Sequence, residues 1–383
     1  MKRFFGFLKK HILECITVIL LAITGIVMAV VKNNPFVAEY IFARGIFKIL
    51  SVPLAFVMGF LPFSLAEYIL YGFIIGAIVC IIVFVIKLVK CFFIKEKPVR
   101  TALIYILKGV RNVAFTGAIL LFVFTMMCGT NYYRYDFEKF CDFEVREYTV
   151  DELYELCVFL ANKTNESREN VTSIGKDGTV TLNGSFYHVS GDAADAMRKI
   201  SKKYESIGYI AGRAKPILMS RYMSYTEIVG IYSPFTIEAN VNNDVPEYGI
   251  PFTMCHELSH LCGYMKEEEA NYIAYLACVN SDSPEFNYSG YATAYIYASN
   301  KLYREDYELF CKVDETISDD VWKDFYAEIE YWEKFEETEL GETIGDVSDS
   351  INDSYLEFNG QEEGTKSYGM IVDLLLADFL SKK

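Results

Sequence analysis

The stretch HELSHLCGYMKEEEAN, His256 to Asn271, decides how the second half of this chain is read. The chain holds only four histidines, His11, His188, His256 and His260, and two of them stand four apart here. On a helix, positions i and i+4 share a face, so both imidazoles can reach one ion. Glu257 is turned about 100° from His256 around the helix axis, which sets its carboxylate beside a shared ion rather than on it. From there a carboxylate can accept the proton of a water activated by the metal. Ile250–Thr253 can begin the helix, with Pro251 and Thr253 near its start. Gly263 fits a C-terminal cap just past the second histidine.

Two histidines do not complete a catalytic zinc site, which takes three protein ligands and keeps one position open for water. After Gly263 comes KEEEAN, Lys266–Asn271, leading into YIAYLAC, which reads as a second helix. A carboxylate in its first turn faces back towards the HELSH helix. Glu267 and Asn271 are i and i+4 on one face, and Ala270 is small enough for close helix packing. Glu267 is the choice for third ligand, Glu269 the runner-up and Glu268 the least suited. The spacing HExxHxxGxxxE is one residue longer than the HExxHxxGxxH of metzincins, whose third histidine would fall on Lys266. A protonated lysine cannot ligate, so the metzincin assignment fails there.

Charge divides the chain. Up to Cys128 there are 14 Lys/Arg against 4 Asp/Glu, a balance of +10; from Gly129 onward there are 22 against 47, or -25. A domain this acidic repels phosphates, so nucleic acid is excluded as its partner. Mean hydropathy over the whole chain is +0.18, and the apolar residues concentrate in the first part. Cys15–Val31 is an uncharged apolar run preceded by Lys2, Arg3, Lys9 and Lys10, and it leads straight into further apolar sequence. It reads as an uncleaved anchor rather than a signal peptide. Ala66–Ile86 and Val113–Cys128 are two more such runs. Between the first two lies Asn33–Ser64, apolar but interrupted by Arg44, Lys48, Pro53 and Pro62, which suits an interfacial or re-entrant segment. The expectation is a transmembrane region over 1–130 with about three spans, embedded in a lipid bilayer.

Lys and Arg set the expected orientation. Four stand at the N-terminus, and seven lie between Lys87 and Arg111 (Lys87, Lys90, Lys95, Lys97, Arg100, Lys108, Arg111). Both regions are therefore expected in the cytoplasm. Three crossings then put 131–383 outside the cell membrane, whereas an even count would keep it in the cytoplasm. The ten cysteines include no CxxC pair, so neither a zinc ribbon nor a redox motif is expected, though some could pair outside the cell.

Thr149–Asn162 has helical periodicity, with Thr149 as N-cap and Asp151 and Glu152 in the first turn. Thr172–His188 reads as strand or loop around its DG and NG turns, and Gly191–Gly208 as a helix. Glu227–Tyr232 (EIVGIY) and Phe235–Asn242 (FTIEANVN) read as strands, and later segments, Ile317–Phe335 and Tyr368–Leu380 among them, as helices. Val347–Gly364 reads as loop. The expected fold class is an N-terminal α-helical transmembrane region followed by an α+β, mostly helical domain. His188, in a strand-like stretch, reads as an ordinary surface or core histidine. The five glycosylation-like tripeptides carry no meaning in a bacterial host.

HExxH followed by E-x-x-A-[DEN] resembles the zincin metallopeptidases of the glutamate-ligand type. The resemblance implies a zincin-like fold and a Zn2+ cofactor held by His256, His260 and Glu267, with Glu257 as general base. It further implies a peptide or protein substrate held extended along an edge strand, for which FTIEANVN is the candidate. An oxyanion-stabilising donor is also needed, with Tyr288, Tyr291 and Tyr368 as candidates. The chain as a whole also resembles an uncharacterised bacterial family of multi-pass membrane proteins with a domain of unknown function. The residues that carry this likeness are YSPFTIEANVN (Tyr232–Asn242), Ile250–Cys278, NYSGY (Asn287–Tyr291) and GTKSYGMIVDLLL (Gly364–Leu376). The expected activity is metal-assisted peptide hydrolysis. The competing expectation is a non-catalytic, zinc-stabilised binding or sensory module in a membrane complex. An intramembrane protease fits poorly, since the motif lies about 130 residues beyond Cys128 in polar sequence.

Overall fold

Four helices in the first third of the chain turn aliphatic side chains outward. In the computed structural model, which describes residues 11–93, 97–336, 338, 344–345, 347–348, 350 and 370–383, these are α1 (Ile12–Lys32), α2 (Val37–Met58), α3 (Leu65–Cys91) and α4 (Pro98–Met127). Val18, Ile26, Ile75, Ile81 and Val113 are all exposed, an arrangement that suits lipid rather than water. All four are long and apolar enough to cross a membrane. Lys2, Arg3, Lys9, Lys10 and Lys95, used above for orientation, lie outside the described residues, as do Tyr368 and most of Val347–Gly364.

One of these, α2, falls in the segment Asn33–Ser64 expected to be interfacial or re-entrant, and it too has the length of a span. Asn33–Ser64 does not form a hairpin: Pro53 is accommodated within a continuous helix, and the break falls at Gly59–Ser64 instead. The first half of α2, Val37–Phe47, is π-helical, and it buries Ala38, Glu39, Phe42, Ala43 and Phe47 on one side. Ser51 and Ala55 continue that buried stripe, while Tyr40, Ile41, Ile49, Phe56 and Phe60 face outward. The buried stripe meets the polar domain at Glu39 and from Phe47 to Ala55, while Ala38 and Phe42 pack among side chains of α1 and α4. Glu39 pairs with Arg134, Phe47 lies against Gly263, Lys48 Nζ donates to Ile207 O at 2.9 Å, and Ala55 joins the domain core.

The other three helices meet the domain at one end. Val27, Met28 and Val31 near the end of α1 pack beside Met126 near the end of α4. α3 and α4 form an antiparallel pair, with Phe84 stacked on Tyr105 at 5.4 Å between centroids and Gly109 fitted against the Phe84 ring. Ser64 caps α3 by accepting from Glu67 N at 3.1 Å. Glu238 of the domain accepts from Leu65 N and Ala66 N, satisfying amides that a helix start leaves free.

The polar domain begins with short 3-10 turns and then α5 (Val150–Asn170), which opens on a capping box between Thr149 and Glu152. α6 (Phe186–Ser201) follows. Ser185 accepts from His188 N and starts this helix earlier than the β-like sequence suggests, so His188 is helical and not in a strand. Of the strands expected in Thr172–His188, only the bridge Ile174–Val180 forms. The sheet has three strands in the order β1 (Ala214–Pro216), β3 (Glu238–Val241), β2 (Gly230–Ser233), with β1 parallel and β2 antiparallel to β3. The strand part of FTIEANVN, β3, is therefore central and fully buried and not an edge, Phe235–Ile237 lying in the turn before it; β2, from EIVGIY, is the edge. The helices α7 (Ile250–Leu261), α8 (Glu267–Val279) and α9 (Pro284–Glu305) form the centre of the domain, with α5 against α9. α10 (Tyr307–Asp314), α11 (Asp319–Glu336) and α12 (Ile371–Ser381) close it. Mostly helical with a small sheet, this matches the coarse expectation. Among the described residues no disulfide joins any of the ten cysteines.

Candidate metal centre

α7 starts with Pro251 in its first turn, where a missing N–H costs nothing. It stops at Gly263, whose φ of +91° only glycine adopts without strain. Gly263 N donates to His260 O at 2.8 Å and Tyr264 N to Ser259 O at 3.1 Å, the paired bonds of a Schellman cap. The chain then enters α8 at Glu267. This tight turn brings the first residue of α8 back over the last turns of α7.

Three side chains converge as a result. His256 Nε2 lies 3.0 Å from His260 Nε2, 3.2 Å separate His256 Nε2 from Glu267 Oε2, and 3.6 Å separate His260 Nε2 from Glu267 Oε1. His256, His260 and Glu267 each offer one donor atom, all within 4.8 Å of one another, so the trio could hold a metal ion. Glu268 and Glu269 are not in the cluster. Glu269, the runner-up in the sequence, is buried and accepts from Phe137 N at 2.7 Å.

The other nitrogen of each ring determines what these three atoms present to one another. His260 Nδ1 lies 2.7 Å from Tyr264 O, which can only accept, so Nδ1 carries the proton and Nε2 the lone pair. His256 Nδ1 lies 2.7 Å from Asn271 Oδ1, and the same assignment follows. With both rings neutral, two imidazole lone pairs and a carboxylate face each other, an arrangement repulsive by itself; a proton on His256 Nε2 bonded to Glu267, or a cation, joins them. Burial pushes His260 down to about 4. His256 is raised because the hydrogen bond and charge of Glu267 outweigh its burial. Glu267 is lowered, its own burial outweighed by His260 and His256.

Glu257 sits beside the trio, 3% exposed, and its Oε2 has no hydrogen-bond partner. Burial, reinforced by Glu267 and opposed by His256, pushes its carboxyl up to about 8. It has room only because position 230 is glycine: a Cβ there would stand 2.4 Å from Glu257 Oε1. Gly230 was not singled out in the sequence, although an isolated glycine inside a strand pattern is a signal of close approach. Tyr232, two residues along β2, places its ring 6.4 Å from that of His260. Tyr297 lies close enough to Glu267 for that charge, after burial, to raise its hydroxyl. Tyr232 opens the stretch YSPFTIEANVN but is not marked there as a site residue, and nothing in the sequence marks Tyr297. The expected Tyr288 is fully buried and donates to Asp324 Oδ2 at 2.8 Å, and Tyr291 packs against Tyr275, so neither touches the trio. His188 lies near Asp192 on the surface.

Fold and site together define a membrane-helix-bearing protein whose mostly helical polar domain carries a three-donor cluster on an HExxH helix. The chain belongs to the family described as "Protein of unknown function (DUF3810)", whose profile matches residues 42–376, from within α2 through α3, α4 and the cluster. No curated protein and no solved structure matches it.

Proposed function

We propose that this protein is a membrane-anchored zinc metallopeptidase that hydrolyses peptide bonds. One observation carries the reading: three lone-pair donors converge beside a buried carboxylate oxygen that has no partner. Two imidazoles and a carboxylate are a donor set that suits zinc. His256, His260 and Glu267 would hold the ion, with Asn271 and the Tyr264 carbonyl fixing the two ring tautomers. Bound there, zinc supplies Lewis-acid polarisation of water and of a peptide carbonyl.

Glu257 does the proton work. Its Oε2 takes a proton from the attacking water and returns it to the leaving amine. Burial raises the Glu257 carboxyl in the metal-free site, the direction that makes a carboxylate a stronger base than an exposed one. A non-catalytic zinc-stabilised module needs no unpartnered carboxylate in its interior, and burying one costs stability. Glu257 therefore favours the enzyme over the binding module.

For the membrane arrangement, the reading is that α1, α3 and α4 cross while α2 lies along the bilayer surface under the domain. The support is the docking of α2 on the domain at Glu39, Phe47, Lys48 and Ala55. With the basic segment Lys87–Arg111 in the cytoplasm, the domain is extracytoplasmic. A C-terminal alkaline phosphatase fusion should be active and a fluorescent-protein fusion dark; the reverse pattern means that α2 also crosses.

The activity is tested on the full chain in nanodiscs, with a peptide library and metal analysis. Wild type should carry zinc and cleave. Glu257→Gln should keep the zinc and lose turnover by about 10²–10⁴-fold. Equal turnover in the two proteins would remove Glu257 from the mechanism.

A further inference from the structure

β2 runs from the cluster to the membrane-helix end of the domain. At its start, Gly230 lies against Glu257. Two residues on, Tyr232 reaches from beside His260 to the last residue of α4, donating to Met127 O at 3.2 Å. The hairpin then turns at Pro234–Ile237 and returns as β3, whose first residue, Glu238, accepts from the opening amides of α3. The hairpin tip therefore stands level with the start of one apolar helix, and the middle of β2 stands level with the end of another.

Apolar side chains are exposed along the same line. Ile231 is 51% exposed and Phe235, at the tip, 47%. Leu218, 68% exposed, donates its N–H to Glu67 in the first turn of α3 at 2.7 Å, which places it at the same level. Exposed apolar groups in a domain of strongly acidic composition mark a contact surface. Among the described residues, β2 pairs only with β3, so its outer edge has no strand partner.

We infer that the substrate is a polypeptide anchored in the same bilayer by a transmembrane helix and cleaved within a few residues of the membrane surface. The inference rests on the metallopeptidase reading above. An extended segment leaving the bilayer adds to the free edge of β2, its apolar side chains meeting Phe235 and Ile231, and its backbone reaches Glu257 and the donor trio. The bonds cut lie outside the hydrocarbon because a peptide inside it stays helical, with its backbone groups already paired and unavailable to an edge strand.

The test uses full-length protein in proteoliposomes and one quenched peptide sequence in three forms. The first form is free in solution. The second follows a transmembrane helix with its cleavable segment about five residues from the bilayer, and the third has a flexible spacer of about 30 residues inserted. The second form should be cut about tenfold or more faster than either of the others, because both tethering and position favour it. Phe235→Asp, at an exposed tip, should slow cleavage of the second form about tenfold with zinc content unchanged. Equal rates for free and anchored forms overturn the inference while leaving the peptidase reading intact, and so do equal rates for the near and spaced forms. No cleavage of any form by zinc-loaded protein overturns both.

Discussion

Two buried polar clusters flank the turn at Gly263, and they differ in how completely their groups are matched. In the first, Arg134 Nε donates to Glu39 Oε2 at 2.8 Å and Nη2 to Glu39 Oε1 at 2.9 Å. Arg134 Nη1 reaches Gly263 O at 3.1 Å, Arg44 adds a bond of 2.6 Å to Glu39, and the Arg134 guanidinium lies 3.9 Å from the centre of the Tyr264 ring. Both carboxylate oxygens of Glu39 meet guanidinium donors. In the second, the Nε2 atoms of His256 and His260 stand 3.0 Å apart and Glu257 Oε2 has no partner. The first cluster is complete without a ligand; the second is complete only with one. Burial and charge are common to both, so neither identifies a site. What separates them is the unmatched lone pair.

The largest effect should come from removing a ligand. His260→Ala or Glu267→Ala should weaken zinc binding by on the order of 10³-fold, given the ~10–16 kcal/mol of structural zinc sites shared among few ligands. Folding of both variants should survive. Zinc titration checks it; full affinity in both variants would make the second cluster as self-sufficient as the first. Arg134→Ala attacks the first cluster and leaves buried Glu39 with Arg44 as its remaining partner, which costs about 1.5–3 kcal/mol of stability. The folded fraction should still bind zinc. Replacing the pair together, Glu39→Leu with Arg134→Met, should restore much of the loss. Denaturant unfolding measures both, and a large drop in zinc affinity in the folded protein would show that the two clusters are not independent.

The cluster was more legible in the sequence than the frame that holds it. His256, His260, Glu257 and Glu267 lie within one helix, a glycine turn and the next helix start, so helical period and the Gly263 cap bring them together locally. Gly230 meets Glu257 only through the packing of β2 on α7, which no local period encodes. FTIEANVN has strand character, but its central place depends on a parallel partner, β1, that the sequence scarcely marks. His188 went to a helix because one hydroxyl, that of Ser185, caps it. The docking of α2 depends on Glu39 meeting Arg134 across 95 residues, whereas hydropathy describes only its outer face.

Metal-free protein sharpens the contrast through pH. The Glu257 carboxyl is near its ordinary 4.5 when unfolded and about 8 when folded. The folded state therefore holds a proton that the unfolded state releases between those values. Its contribution is fully present below pH 4.5 and is lost as pH rises towards 8. Glu257→Gln, which carries no titrating group, should nearly equal wild type at pH 4.5 and below and exceed it by about 4 kcal/mol near pH 8, at ~1.4 kcal/mol per unit. Thermal unfolding of chelator-treated proteins across this range measures the gap. A gap that does not widen with pH would mean that Glu257 is satisfied in the metal-free fold.

The smallest expected effect tests whether the lone pairs are aimed. Asn271 touches no ion in the proposed site; it holds His256 Nδ1 at 2.7 Å and so fixes which nitrogen faces the cluster. Asn271→Ala frees that ring to rotate or change tautomer without removing a ligand, and such outer partners contribute about 10–100-fold in metal affinity. Asn271→Asp keeps the acceptor and should recover most of the loss. The alanine variant should keep its folding stability to within about 1 kcal/mol, because the bond it deletes is a single one. Unchanged zinc affinity in Asn271→Ala would mean that the backbone of α7 alone orients His256, and that the second cluster is held as rigidly as the first.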